Sequence, residues 1–173
     1  MLKENGRIIS EASRFKPEGP FRAIIDPTKT LAELVDPRAY GFIHDKIKDG
    51  TFPLEWQTEG EVDFYTLRFR GGNFDYSDIV ETARHMGLHL AGSGELLTFG
   101  RLPQQIAARI SKPLLPNVVE LNTILQAVGR DFLPHQYVML LGSSGREYDL
   151  NLTVAEYPHS FDPRNTFLVF KKP

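Results

Sequence analysis

The clearest pattern in this chain is a strict alternation along EVDFYTLRFRGG, residues 61–72. Tyr65, Leu67 and Phe69 fall on one side; Val62, Phe64, Thr66, Arg68 and Arg70 fall on the other, which predicts a strand closed by Gly71-Gly72. The period then changes. DYSDIVETARHMG sets Ile79, Val80, Ala83 and Met86 on one helical stripe, with Asp75 or Ser77 as N-cap and Gly87 as the stop. LHL reads as extended. Ser93 is expected to cap GELLTF, ended by Gly100, and Pro103 to open a helix with Ile106, Ala107 and Ile110 on its face.

Upstream, FRAII (21–25) is β-rich, KTLAELV is helical up to Asp36-Pro37, and residues 39–56 are mixed, with Asp49-Gly50 as a turn. Residues 1–19 read as a flexible arm. Asn117 with Glu120 resembles a capping box, and Leu121, Ile124, Leu125 and Val128 make a stripe that stops at Gly129. With the segment opened by Pro103, this predicts a helical insertion at about 101–133. QYVMLLG and EYDLNLTVA, joined by SSGR, predict a hairpin; EYPHSFDPRN is a loop and TFLVFKK a last strand. The expected architecture is a single α+β domain over 20–173, a mostly antiparallel sheet with helices packed on it.

Composition narrows the chemistry. With 41% hydrophobic and 24% charged residues and twelve Phe, the chain has the makeup of a globular domain. A formal net charge of −2 provides no basic field for nucleic acid. No cysteine is present, so disulfides, thiol nucleophiles and thiolate metal sites are excluded, and a cytoplasmic location is the simplest expectation. The opening MLKENGRIISEASRFKPEG has no apolar core of signal-peptide length, and no apolar run is long enough to span a membrane.

Several motifs invite a site. His85 and His89 are spaced like a helical zinc pair, but Gly87 between them should end the helix, so no metal site is expected. AGSGELL has the look of an anion cradle, yet it lacks a Lys and places Glu95 in the first turn; a cap after a tight turn fits it better. GSSG at 142–145 is one residue short of a nucleophile elbow and lies at a hairpin tip. Asp75 and Asp78 suit a helix start, while Asp45, Asp49, Asp149 and Asp162 scatter among turns. Arg68 and Arg70 share a strand face beside aromatic residues and could hold a phosphate or carboxylate. The loop at 156–165 carries Tyr157, His159, Asp162 and Arg164, residue types that act on loops.

The order FRAIID, KTLAELV, AYGF, TFP, DFYTLRF, MGLHL, ELLTFG, MLLGSS and FLVF resembles a group of uncharacterised bacterial proteins, over roughly residues 21–170. The markers are packing positions, and the resemblance implies no activity and no site residue. The stretch at 101–133 departs from that pattern as an insertion. A fainter similarity runs to C-type-lectin-like domains, whose order of strand, helix, EL-containing helix and late strands is shared; their disulfides and calcium motif are absent.

No complete catalytic constellation is legible. The expected function is therefore a non-catalytic binding or interaction module, for a protein partner or a small anionic ligand, without a cofactor. Its candidate surface is Arg68, Arg70, His159 and Arg164. Two alternatives stand beside it. One is a small hydrolase pairing His159 or His135 with a carboxylate, which a histidine and an aspartate meeting in one pocket would favour. The other is a structural subunit of a larger assembly, which an exposed apolar face on 117–129 would favour.

Overall fold

The computed structural model describes residues 15–69, 74–111, 117–144, 147–155, 161–162 and 164–173. In chain order the strands are β1 (Phe15–Ile25), β2 (Tyr40–Ile43), β3 (Gly60–Phe69), β4 (His89–Leu90), β5 (Val118–Val119), β6 (Leu125–Val128), β7 (Pro134–Ser144), β8 (Glu147–Val154) and β9 (Thr166–Lys171). The helices are α1 (Leu31–Leu34), α2 (Asp45–Lys48), α3 (Tyr76–His85), α4 (Ser93–Gly100) and α5 (Pro103–Ser111). The class is α+β: one open, mixed, mostly antiparallel sheet in the order β1-β3-β9-β5-β7-β8-β2, with β9-β5 and β8-β2 parallel.

The sheet forks. β4 and β5 lie end to end along one edge of β9, while β5 and β6 lie end to end along one edge of β7. Beyond β5 the sheet thus has two arms, β1-β3-β9-β4 and β6-β7-β8-β2. Ala91 and the 120–122 segment sit at the crotch, where the Leu121 and Asn122 N–H groups both donate to the Ala91 carbonyl.

Alternation divides the core. Val62, Phe64, Met139, Leu141, Leu150, Leu168 and Phe170 meet Leu96, Leu97 and Phe99 of α4, with Leu34 and Ile47 of the short helices, on the first face. Leu67, Val119, Val138, Phe167 and Val169 meet Ile79 and Ala83 of α3, with Phe74 and Phe161, on the second. Central strands are covered on both sides, as runs such as TFLVF require.

The strands at 61–69, the 134–154 hairpin and the last strand lie where the alternation places them. Asp75 N-caps α3, with Asp78 returning a bond to the Asp75 N–H. Four expectations are overturned. Residues 15–19 belong to β1, not to a loose arm; β1 is an edge strand, where Pro17 costs little because one side needs no donor. Val118–Val119 and Leu125–Val128 form β5 and β6, with no helix between them. Leu121 is buried while Ile124 and Val128 are exposed, so the apparent stripe never acts as one face, and pairing with β7 wins. Gly92, not Ser93, is the N-cap of α4. In α5, Gln105 is buried while Ile106 is exposed, so the helix does not rest on its predicted face. Gly87, at φ +68, separates α3 from β4, so His85 and His89 share no helix.

Candidate functional site

Two polar constructions stand out, one buried and one open. The buried one is the entry to α4. Glu95 accepts from the Gly92 N–H through Oε2 at 2.9 Å, and from Gln57 and Thr58 through Oε1 at 2.7 and 3.2 Å. Its own carboxylate thus occupies the anion cradle suggested by AGSGELL. Ser93 accepts from the Glu55 N–H, donates to the Pro53 carbonyl, and gives its own N–H to Thr123 Oγ1. Glu120 accepts from Met139 through Oε1 and from Asn122 and Thr123 through Oε2, at 2.9–3.0 Å. Burial pushes the Glu120 carboxyl up to about 8 against these three donors, and burial raises Glu95 too. Both side chains are fully buried and face backbone amides. This is a lock between the arms of the sheet, closed to substrate.

The open construction is a cleft of about 750 Å³ on the first face, over the outer ends of β7 and β8. Tyr137 and Val154 are direct neighbours across the β7–β8 ladder and, with Leu152, form an apolar floor. One wall is the start of α2. His44 is its N-cap and accepts the Lys46 N–H through Nδ1 at 3.2 Å, so its neutral ring carries the proton on Nε2. Buried Ile47 anchors this single turn, and Gly50 at φ +78 ends it. Lys46 lines the same wall.

The other wall is the β6–β7 turn. The Gly129 N–H donates to the Leu133 carbonyl at 2.8 Å, and the Leu133 N–H donates to Asp131 Oδ1 at 3.1 Å. Asp131 faces His135, with Nε2 at 2.9 and 2.8 Å from the two carboxylate oxygens. Hydrogen bonding to His135, then to the Leu133 amide, holds the Asp131 carboxyl below the usual aspartate range. His135 stands edge-on to Tyr137. A Cβ on Gly129 would lie 2.5 Å from His135 Cδ2, 2.8 Å from Asp131 Oδ1 and 3.0 Å from the Tyr137 hydroxyl. Only glycine lets the three side chains close over the backbone there. The turn also holds Phe132 at φ +64, a conformation that non-glycine residues seldom adopt.

The residues singled out from sequence lie elsewhere. Arg68 is exposed near the end of β3 and pairs by backbone with Thr166, so it reaches the same end of the sheet as Arg164. Arg164 is engaged: its Nε and Nη2 bond the Asp162 carboxylate at 2.7–3.1 Å. Arg70 and His159 lie outside the described residues. His135 was named from sequence only beside His159, as a histidine that a hydrolase could pair with a carboxylate, and the turn sets Asp131 against it. His44, Lys46 and Arg130 were missed, because no local spacing joins residue 44 to residue 135. Among the described residues no three His, Asp or Glu side chains are grouped as a metal site, and no helix is long and apolar enough to cross a membrane.

No family model, curated protein or solved structure matches the chain. The resemblances noted above rest on the sequence alone.

Proposed function

We propose that the chain is a binding module whose cleft takes a small anionic ligand. One observation carries this reading. His44 and Lys46 from the α2 turn, and Arg130 and His135 from the β6–β7 turn, line one cleft over an apolar floor, while Asp131, the one acid that lines it among the described residues, is spent on His135. The ligand would set its anion between the Lys46 and Arg130 charges, beside the His44 ring N–H, and its body on Leu152, Val154 and Tyr137. The absence of cysteine suits a cytoplasmic setting. Calorimetric titration with inorganic phosphate and with benzoate tests the reading. Binding should weaken at least tenfold in Lys46→Gln and Arg130→Gln; affinity unchanged in both variants would end it.

A second reading is favoured by the His135–Asp131 contact, which is the base–orienter half of a hydrolytic site. No Ser or Thr lines the cleft among the described residues, so water would be the nucleophile. Turnover of p-nitrophenyl acetate or phosphate that disappears in His135→Gln would favour it over binding alone.

A further inference from the structure

We infer that two copies of this chain join through the free edge of β6, extending one sheet into the other. Among the described residues, large apolar side chains stand exposed at scattered points, Ile24, Phe42 and Ile106, but gather along β6 and the turn after it. Ile124, just before β6, is 41% exposed, Val128 at its end 66%, and Phe132 and Leu133 in the turn that follows 88% and 58%. Among the described residues β6 pairs with β7 alone, so its other side is open. An open apolar edge invites a strand.

The parity of the ladder says which strand fits. Gly129 bonds Leu133 toward β7. Antiparallel ladders alternate, so Ala127 with His135 and Leu125 with Tyr137 also bond inward. Gln126 and Val128 therefore turn their N–H and C=O groups outward, in step with Ile124. A second β6, antiparallel and centred on Gln126, matches every one of these groups. Gln126 meets its own copy, Ile124 meets Val128 of the second copy, and Leu125 meets Ala127. Directly opposed residues must share a sheet face, and each of these pairs does. The contact is self-complementary about a two-fold axis, as an isologous interface must be.

The same register lays the turn of the second copy beside Thr123 and Asn122. Asn122 borders a hollow of about 430 Å³ whose apolar lining includes Val80, Leu88 and Leu90. Phe132 and Leu133 of the second copy come to its mouth. Phe132 alone offers about 150 Å². The four apolar side chains of two copies offer on the order of 1,000 Å², the lower bound for a specific interface. An interface at that lower bound is a weak one, filling as protein concentration rises through the micromolar range.

Sedimentation velocity across that range, with cysteine cross-linking, tests the inference. The chain contains no cysteine, so Gln126→Cys introduces one thiol per copy. Under copper–phenanthroline it should give a covalent dimer, twice the 19.6 kDa chain, because its opposed Cα atoms would lie about 5.5 Å apart. Val128→Cys alone should not, whereas Val128→Cys mixed with Ile124→Cys should. Ile124→Lys with Val128→Lys should abolish dimerisation and keep the circular dichroism of the folded chain. A monomer at every concentration overturns the inference. So does a dimer that survives the lysines, or Gln126→Cys that cross-links no faster than Val128→Cys. Flotation of a monomer with anionic vesicles would assign the apolar turn to a membrane and overturn it as well.

Discussion

The entry to α4 and the β6–β7 turn use the same parts to opposite ends. Each sets a glycine where a side chain would collide, and each uses a carboxylate to gather backbone amides. At the α4 entry Gly92 and Gly94 admit Thr123 and Trp56, Glu95 takes amides from the distant 57–58 segment, and Glu120 takes one from strand β7. Every partner is internal. At the turn Gly129 admits His135 and Tyr137, but Asp131 takes one local amide and a histidine, and the result faces water. The difference shows how to separate structure from function among similar polar clusters: by where the remaining hydrogen-bonding capacity points. In the lock it is consumed, and in the cleft it meets solvent.

Four changes would break or sharpen that contrast. Glu120→Ala should do the most harm, leaving the Met139 and Thr123 amides buried without an acceptor, while Asn122 keeps the Ala91 carbonyl. About 4 kcal/mol of stability should be lost, read as a drop in the urea midpoint. Next comes pH. With its carboxyl at about 8 in the fold against 4.5 for the free group, Glu120 binds more protons folded than unfolded within that window. Stability should fall as pH rises from about 4.5 to 8 and level off above, with buried Glu95 adding in the same direction. Glu120→Gln should flatten the slope; a curve that rises over this range would refute the assignment.

Gly129→Ala should cost about 1–2 kcal/mol through crowding, yet weaken phosphate binding tenfold or more, because it displaces both members of the His–Asp pair. The smallest effect belongs to His135→Gln. Loss of the ring that holds Asp131 down should raise that carboxyl toward the ordinary aspartate range, read by carboxyl carbon NMR, with little change in the urea midpoint.

The local parts of this molecule were legible, and the parts made by distant pairing were not. DYSD announces its own capping box, and the alternation in 61–69 and in the last strand needs no outside help. VVELNTILQAV carries apolar residues at helical spacing, and nothing local shows that Glu120 will turn inward to take a strand amide. The short β5 and β6 exist because β7 and β9 offer edges to them. The site divides in the same way. His135 could be named, and a carboxylate partner expected. That Asp131 would be the partner depends on Phe132 entering the left-handed region, which no glycine signals.

Trp56 gives the inner lock an optical label. It is the single tryptophan of the chain, and its ring lies where a Cβ on Gly94 would come within 2.5 Å. Intrinsic emission therefore watches the α4 entry while remaining blind to the cleft at the far end of the other arm. If the two arms of the forked sheet come apart before the strands melt, the fluorescence transition should precede loss of the far-ultraviolet dichroism. A single coincident transition would mean that the fork opens only when the whole sheet does.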